Sequence, residues 1–577
     1  MALEDLQFLG FDISTQGGEV VAAQWAENVG DRRVLFTSSA AYNQERLGHF
    51  DLGVPDEGYW NSADNPREAF GHPLGPVQAL DLLMENLAIQ GASGSSGFRT
   101  GKVGDMSGSG MQHGTLYLNP HMLGNLQRMG PELTLAAWVQ DGFSRTVMPI
   151  WRDSSTSAYG KMLEDFFGGP RATARAVGSR ALGSERFSVL QIWKYLSEDP
   201  MGYSQTATVS LVSSFMASLL RGSIVPWDEG DGLGTLGTDR VTKKLRRDLL
   251  RSIDSGLVGR IPETLPVDSG IGTLCHYFEK YGFRPDTELT IWTGDNINSL
   301  AGCGLIGRAG TLMISLGSSD TASRYLAIPA VSETAEGHIF GAPDGKWMNL
   351  MCWKNGSLTR GEVALQYGMA TRVGDETEID WGKFSDALKT TEPGNRGYFM
   401  LPYYDTEITP VVLDRGIVRY GGLQDLHWPE VVKPNVRACV EAQMLAMANH
   451  TAYMGNLDEL VVTGGASVNR EILQVMANVF DKPVYSLEEA NSAAMGAMMR
   501  AAHRYLNAHG TEVSWEEMAA SFVRRVADPV MPDPKAAAIY KEMRPVYQAC
   551  EDHRVLRIQG HEEKIEAFKK NVLHMRG

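Results

Sequence analysis

The sequence is poor in cysteine and has no long apolar run. Its five cysteines, among 577 residues, are scattered and form no Cys-x-x-Cys pair. This excludes a disulfide framework, argues against a zinc site and is typical of a reducing compartment. No stretch approaches the roughly 20 apolar residues of a membrane span, and the first residues do not have the pattern of a secretory signal. The sequence therefore predicts a cytoplasmic protein that does not bind membranes.

A surplus of basic residues is also missing. The formal net charge is -16, whereas a general nucleic-acid binder would carry a basic stripe, so nucleic acid is excluded as a partner. The hydrophobic fraction of 43% and the charged fraction of 21% are ordinary for globular proteins. The length exceeds that of one domain, which indicates two large lobes. Nothing in the sequence decides between a monomer and a homodimer.

Two well-known kinase signatures are absent. The sequence contains no Gly-x-x-x-x-Gly-Lys-Ser/Thr, so the protein is not a P-loop enzyme. It also lacks the His-Arg-Asp and Asp-Phe-Gly motifs of protein kinases. If this protein binds a nucleotide, it uses another kind of phosphate site.

Strand-like and helix-like patterns alternate along the chain, which predicts an α/β fold. A strand over residues 6–11 and a strand over residues 311–316 each run into a turn rich in hydroxyls. A duplicated nucleotide-binding lobe would produce this repeat, and so would chance. Further strands are predicted from Val103, at 289–293 and at 460–462. Helical patterns dominate residues 155–285, while residues 91–97 are predicted as a surface loop and the segment from Lys535 as a solvated helix.

The turns after these strands can be interpreted in two ways. Ser14-Thr15-Gln16 and Gly317-Ser318-Ser319 offer hydroxyls and backbone N–H groups that could cradle phosphate oxygens, and Asp12 could hold Mg²⁺. Ordinary hairpin turns have the same composition. The glycine pair Gly464-Gly465 permits close approach of a flat ligand, but it also suits any strand-to-helix turn.

Three other residues invite a catalytic or binding hypothesis. Asp295 follows a strand and opens a helix, so it could take a proton from a hydroxyl or could merely cap the helix. His113 could hydrogen-bond a sugar, although a lone histidine is more often structural. The simpler interpretation of Arg186 is that it is a helix residue held by a salt bridge.

Taken together and in order, these stretches resemble the FGGY carbohydrate kinases of the actin-like ATPase superfamily, and most closely the eukaryotic-type xylulose kinases. The resemblance covers roughly residues 6–505. It rests on these segments: Gly10–Gln16, Ser107–Gly114, Pro149–Thr156, Gly178–Arg180 with Glu185–Phe187, Leu211–Phe215, Thr293–Asn296, Ser315–Thr321, Lys354–Leu358, Thr463–Ser467 and Asn469–Val475.

The resemblance implies two ribonuclease-H-like lobes, predicted at residues 1–288 and 289–577, with ATP and a ketose meeting in the cleft between them. It implies phosphorylation of D-xylulose, with another ketose or polyol such as ribulose as the alternative substrate. A non-catalytic sugar sensor on the same fold is the alternative of another class. By position in the motifs, the implied roles are general base (Asp295), ketose contacts (His113, Arg186, Asp295, Asn296), metal association (Asp12 with Mg²⁺), phosphate turns (Ser14, Thr15, Gln16; Gly317, Ser318, Ser319) and nucleoside contacts (Trp381, Gly464, Gly465, Asn469).

The sequence departs from the family pattern at a few positions. Glu19 stands where the family often has lysine or arginine, which removes a cation near the phosphates. Two arginines, Arg180 and Arg186, could reach the sugar, and the intact Glu-Arg-Phe motif favours Arg186.

Overall fold

The computed structural model describes residues 6–44, 49–373, 376–488 and 491–574, in which strands and helices alternate. The strands are β1 (Gln7–Ile13), β2 (Gly17–Gln24), β3 (Arg33–Ala41), β4 (Trp60–Asn61), β5 (Ala69–Gly71), β6 (Val103–Gly110), β7 (Thr115–Leu118), β8 (Met148–Pro149), β9 (Thr208–Leu211), β10 (Gly270–Thr273), β11 (Glu288–Thr290), β12 (Thr293–Gly294), β13 (Thr311–Leu316), β14 (Asp320–Leu326), β15 (His338–Gly341), β16 (Trp347–Trp353), β17 (Ala370–Val373), β18 (Glu376–Ile379), β19 (Phe399–Tyr403), β20 (Gly416–Tyr420), β21 (Glu459–Thr463) and β22 (Val484–Ser486).

The α-helices are α1 (Leu74–Ser93), α2 (Pro120–Arg128), α3 (Leu135–Val139), α4 (Ser157–Phe167), α5 (Pro170–Val177), α6 (Ser188–Glu198), α7 (Pro200–Ser204), α8 (Val212–Arg221), α9 (Glu229–Leu233), α10 (Arg247–Ile253), α11 (Leu257–Arg260), α12 (Asp295–Gly302), α13 (Ser357–Gln366), α14 (Trp381–Lys389), α15 (Val432–His450), α16 (Arg470–Phe480), α17 (Ser492–Ala508), α18 (Trp515–Phe522), α19 (Pro534–Leu556) and α20 (His561–Asn571).

The described residues form two compact units, each assembled from separate segments. The first unit is drawn from Met1–Arg308, Tyr325–Asn349 and Asn491–Val523. The second is drawn from Ala309–Arg324, Leu350–Ala490 and Arg524–Gly577. The helix α12, which begins at Asp295, belongs to the first unit, and the lobe limits predicted from the sequence stay a prediction.

The first unit is built on a seven-stranded sheet in the order β10-β11-β6-β1-β2-β3, with β12 also paired to β6. Strand β1 runs antiparallel to β2 and parallel to β6. Both faces of β1 are buried: Leu9, Phe11 and Ile13 belong to the same core as α1, while Phe8 packs in a core with α17. At Gly10 the helix α17 touches the strand backbone, since a Cβ there would lie 2.0 Å from the Ala494 carbonyl oxygen.

The second unit repeats part of this layout. Strand β13 is antiparallel to β14, which follows it, and parallel to β21, which in turn pairs in parallel with β22. The same sequence of strand, tight turn, antiparallel strand and parallel partner thus occurs at β1 and at β13. The two turns predicted from the sequence therefore lie at equivalent places in two sheets.

Two of the predictions about peripheral segments are wrong. Residues 91–93 are not loop but the last turn of α1, which ends at Gly94 in a left-handed conformation. The helix α19 is not a solvated element, because Tyr540, Tyr547 and Cys550 are buried in the core of the second unit. Its apolar residues recur every three or four positions, which gives a buried stripe in spite of the charges between them. None of the described helices is both long and apolar enough to cross a bilayer.

Candidate active site

Asp12 lies near the carboxyl end of β1, where three strands of the first unit end together. Its register partners are Ser109 in β6 and Glu19 in β2, and Thr293 in β12 is paired with Ser109. The Ser109 hydroxyl donates a hydrogen bond of 2.6 Å to Asp12 Oδ1. Because parallel strands present their carboxyl ends at one edge of the sheet, this edge is where α/β proteins bind ligands.

Asp295 opens α12 directly after β12, at the same edge. Its Oδ1 accepts hydrogen bonds from the backbone N–H of Asn296 (2.6 Å) and from Asn296 Nδ2 (2.7 Å). The backbone of Gln112 lies close enough to stabilise the charged form as well. The side chain of Gln112 accepts a further hydrogen bond from Asn296 Nδ2, at 2.9 Å. Asp295 therefore does more than begin a helix, since its neighbours hold the carboxylate in one orientation.

Burial raises the pKa values of both carboxylates. The pKa of Asp295 rises to about 6 because of burial, against the opposing hydrogen bonds from Asn296 and Gln112. The pKa of Asp12 rises to about 7 because of burial and the nearby negative charge of Asp295. Two carboxylates with raised pKa values at one strand edge are typical of a site that handles protons or cations.

The first predicted phosphate turn is held from several sides. The Ser14 N–H donates to the Gly17 carbonyl oxygen at 2.8 Å, and the Tyr42 hydroxyl donates to the Ser14 carbonyl oxygen at 2.5 Å. The Thr15 hydroxyl accepts from Trp151 Nε1 at 2.9 Å, whereas Gln16 is exposed. The turn is thus a fixed backbone feature.

A second cluster lies beside Gln112 in the first unit. His113 is buried in a left-handed backbone conformation, its Nδ1 is 3.1 Å from the Gly234 carbonyl oxygen, and its ring stacks on Phe187 with 4.2 Å between centroids. Burial and the positive charge of Arg186 hold the pKa of His113 well below its ordinary value, so the imidazole is neutral. Arg180 instead approaches Glu164, at 3.8 Å. The structure thus brings together His113 and Arg186, the arginine favoured by the sequence.

Three side chains that the sequence analysis did not select belong to the same surroundings. Asp231 accepts hydrogen bonds from Gln112 Nε2 (3.0 Å) and from the Ser213 hydroxyl (2.6 Å). Asp228 accepts one from the Thr293 hydroxyl at 2.7 Å, and His338 Nε2 is 3.0 Å from Arg186 Nη2. The two aspartates, Asp228 and Asp231, lie close together around a glycine, and this spacing could have marked them as candidate site residues in the sequence. His338 lies 152 residues from Arg186, so no local sequence pattern pointed to it.

The second predicted phosphate turn and the predicted nucleoside contacts lie in the second unit. The turn Gly317-Ser318-Ser319 joins β13 to β14, and the Ser357 N–H at the start of α13 donates to the Gly317 carbonyl oxygen at 3.0 Å. Behind the turn, Arg360 forms a buried ion pair with both carboxylate oxygens of Asp320. The turn is therefore anchored to a helix and to a charged pair.

The glycine pair and its neighbours form one small assembly. Gly464 has a φ of 86°, and a Cβ there would lie 2.7 Å from the Leu316 carbonyl oxygen, so this position requires glycine. Asn469 caps α16 through its Oδ1, while its Nδ2 donates to the Ser385 hydroxyl on α14 at 3.1 Å. Trp381 stands one helical turn before Ser385 and is 39% exposed. Asn469 thus connects the segment after Gly464 and Gly465 to α14, the helix that begins at Trp381.

The oxygen chemistry at Asp12 fits a magnesium ion. Asp12 and Glu19 are cross-strand partners and Asp295 adds a third negative charge nearby, so a divalent cation would relieve their repulsion. Within the described ranges, no group of three or more histidine, cysteine or acidic side chains forms a ready-made metal cage. Magnesium in kinase sites normally uses one or two carboxylates together with water and phosphate oxygens.

The chain is similar to known proteins along most of its length. Residues 312–505 match the C-terminal domain of the FGGY family of carbohydrate kinases. The chain is 35% identical to a xylulose kinase of Mus musculus over 94% of this chain and 93% of that protein, and 34% identical to a xylulose kinase of Rattus norvegicus over 96% and 98%.

The fold is also found among solved structures. The crystal structure of a xylulose kinase from Rhodospirillum rubrum matches with a TM-score of 0.76 at 16% identity, over 96% of this chain and 100% of that one. The predicted α/β fold of the actin-like sugar kinases is confirmed. Since a relative 35% identical matches nearly the whole chain, this protein belongs to the FGGY family of carbohydrate kinases.

Proposed function

We propose that the protein transfers the γ-phosphoryl group of ATP to D-xylulose and releases ADP and D-xylulose 5-phosphate. Two relatives that match at 34–35% identity over more than nine-tenths of the chain are xylulose kinases. The observation that carries the chemistry is the setting of Asp295, a carboxylate at a strand end whose Oδ1 is held by two hydrogen-bond donors of Asn296.

Asp295 serves as the general base in this reaction. With a pKa of about 6 it is mainly ionised at neutral pH, and it is basic enough to take a proton from a hydroxyl as that group attacks. The C5 hydroxyl oxygen of the ketose forms a bond to the γ-phosphorus, the bond between that phosphorus and its bridging oxygen breaks, and the hydroxyl proton moves to Asp295. Phosphoryl transfer depends mainly on positioning and charge neutralisation, so one base and a set of donors suffice.

The ketose would be held by His113, Arg186, Asp295 and Asn296. A neutral His113 can accept or donate one hydrogen bond, Arg186 only donates and Asp295 only accepts, so this set suits a chain of neighbouring hydroxyls. Gln112 connects the two halves of the set, because its side chain bonds to Asn296 and His113 follows it in the chain. The ligand class expected from these donors and acceptors is a small polyhydroxylated sugar.

The nucleotide would be held mainly by turn backbones. The two turns Ser14–Gln16 and Gly317–Ser319 offer N–H groups and hydroxyls to phosphate oxygens, and Trp381, Gly464 and Asn469 would surround the nucleoside. Mg²⁺ near Asp12 would neutralise phosphate charge. Ionised Asp12 is then favoured by the cation, which offsets the burial that raises its pKa.

A panel of sugars tests the proposal. ADP release is measured with D-xylulose, D-ribulose, L-ribulose, glycerol and gluconate, each with and without Mg²⁺. The expected result is a kcat/KM for D-xylulose at least about tenfold above the others, since pockets that bond to hydroxyls reject analogues with misplaced ones. A higher kcat/KM for ribulose would mean that ribulose, and not D-xylulose, is the substrate. Sugar binding without ADP release for every sugar in the panel would contradict the kinase assignment.

A further inference from the structure

His338 is a buried imidazole that none of the roles proposed above employs. It is the first residue of β15 in the first unit and is 3% exposed. Its Nε2 lies 3.0 Å from Arg186 Nη2, and its Nδ1 lies 3.1 Å from the hydroxyl of Ser179. Both ring nitrogens are therefore within hydrogen-bond distance of a side chain.

The chemistry of the partners fixes which nitrogen carries the proton. A guanidinium has only donors, so Nε2 of His338 must accept with its lone pair. A neutral imidazole has one N–H, which then sits on Nδ1 and donates to the Ser179 oxygen. In agreement with this, burial and the positive charge of Arg186 hold the pKa of His338 well below its ordinary value.

Arg186 is thus bound through two of its nitrogens. Nη1 donates to the Gly183 carbonyl oxygen at 3.0 Å, while Nη2 donates to His338. The guanidinium also lies 5.2 Å from the Phe187 ring centre. A backbone acceptor and a side-chain acceptor on opposite arms of the fork define its rotation, which one acceptor alone would not do.

The position of His338 is itself fixed by the fold. The next residue, Ile339, donates its N–H to the Gly178 carbonyl oxygen at 3.0 Å. This hydrogen bond holds β15 next to the segment that contains Ser179. Phe187 packs against both imidazoles, with centroid separations of 4.2 Å to His113 and 5.0 Å to His338. His113, Phe187, His338 and Arg186 therefore form one packed group.

We infer that His338 is a positioning residue for ketose binding, which presents the Arg186 guanidinium to the sugar in a single orientation through the Nε2 acceptor. This inference rests on the proposed role of Arg186 as a ketose contact. Its consequence is specificity, because a guanidinium held in one plane can donate to hydroxyls of one spacing and stereochemistry. A freely turning arginine would discriminate less between pentuloses.

The test replaces the acceptor and then restores it. His338→Leu removes the lone pair, whereas His338→Gln supplies an amide oxygen close to the place of Nε2. We expect His338→Leu to raise KM for D-xylulose about 10- to 100-fold with kcat within about threefold and KM for ATP unchanged, because an interaction used in binding is lost. We expect His338→Gln to recover most of that loss, and the preference for D-xylulose over D-ribulose to fall in the leucine variant and return in the glutamine variant.

A matched control separates a packing defect from a positioning defect. His503→Leu removes another imidazole of the first unit, one that stacks on Trp515 at 4.2 Å. It is expected to leave KM for D-xylulose unchanged. If His338→Gln were as impaired as His338→Leu, volume rather than the acceptor would matter, and the inference would be overturned.

A double-mutant cycle decides whether the effect passes through Arg186. In an Arg186→Ala background, His338→Leu should change KM for D-xylulose by less than about twofold, since contacting residues are non-additive. A full 10- to 100-fold effect in that background would overturn the inference. Failure of the proposed function would look different, because the unmodified enzyme would then turn over no ketose or would prefer another one, for which the same cycle is run.

Discussion

The two predicted phosphate turns, after β1 and after β13, have the same topology and different chemistry. In the first unit the cross-strand pair beside the turn is Asp12 with Glu19, two carboxylates. In the second unit the corresponding pair is Ser315 with Thr321, two hydroxyls. One layout thus supplies an acidic strand end in one unit and a neutral strand end in the other.

This difference indicates that the two strand ends favour different ligands. The acidic end, with Asp295 close by, favours a cation and a proton acceptor. The neutral end combines hydroxyls with Gly464, whose lack of a side chain lets its backbone lie against the backbone of Leu316. An anionic nucleotide tolerates the second environment directly, whereas it requires a cation beside the first.

The largest expected effect comes from the acidic unit. Replacement of Asp295 by Asn removes the proton acceptor while keeping the shape, so kcat should fall by about 10²- to 10⁴-fold. KM for D-xylulose should change far less, because an amide can still take part in hydrogen bonds. Steady-state ADP release measures both constants.

The matched control for that change is Asp286→Asn. This carboxylate is exposed, lies in the same unit and pairs with Arg284. Its replacement should leave kcat unchanged. Near-wild-type turnover of the Asp295→Asn enzyme would remove Asp295 from the mechanism.

Asp12 and Ser315 occupy corresponding positions and allow a direct contrast. Asp12→Asn should raise the Mg²⁺ concentration for half-maximal rate by about 10- to 100-fold, as expected when a metal-associated carboxylate is lost. Ser315→Ala should leave that concentration unchanged. A magnesium titration at fixed ATP gives both values, and equal shifts in the two variants would abolish the contrast between the units.

The acidic unit should also set the pH dependence. The pKa of Asp295 is raised to about 6, and its ionised form is the base, so kcat should fall as pH decreases through about 6. At pH 5 about a tenth of the plateau rate should remain, as for a single titrating base. The measurement is kcat at saturating substrates and Mg²⁺ from pH 5 to 8, and a fall that begins only near pH 4 would exclude Asp295 as the titrating group.

In the neutral unit the expected effect is on folding and nucleotide affinity. Gly464→Ala places a Cβ at a φ of 86° and 2.7 Å from a carbonyl oxygen, which should cost about 1–3 kcal/mol of unfolding free energy. KM for ATP should rise and KM for D-xylulose should not. Thermal melts show the strain, and Gly465→Ala is the control for stability, because a Cβ there meets no atom within 4 Å.

The smallest effect is expected at Glu19. Glu19→Lys introduces a cation beside the first turn, and KM for ATP should fall about two- to fivefold, since water still partly screens the charge of this half-buried side chain. Glu19→Gln separates loss of the negative charge from gain of the positive one and should give an intermediate KM. A rise in KM for ATP in the lysine variant would mean that Glu19 favours nucleotide binding, contrary to the role inferred from its position.

The local features of the fold were predictable and the distant ones were not. Strand β13 has the predicted limits, because its apolar run and the glycine that follows it are contained in one short window. The burial of α19 was not predicted, since its partners in α15, such as Arg437 and Glu441, lie about 100 residues earlier. A buried helix is hard to recognise from sequence when charged residues stand between the apolar residues of its buried stripe.

The candidate site follows the same rule. Asp12, Asp295 and the two turns stand at strand ends, where position alone suggests a role. His338 and Asp231 reach the site from other segments, and only the assembled backbone brings them to Arg186 and Gln112. Residues at strand ends could thus be selected from the sequence, whereas the contacts of His338 and Asp231 became visible only in the structure.

The contact of α17 with β1 at Gly10 has a consequence for synthesis of the protein. The strand leaves the ribosome first, but the helix that covers one of its faces begins at Ser492. At a synthesis rate of about 5–20 residues per second, that face of β1 stays uncovered for roughly 25–100 s before α17 is made. During this interval Phe8 and its neighbours are exposed, so the nascent chain should bind chaperones until α17 has emerged from the ribosome.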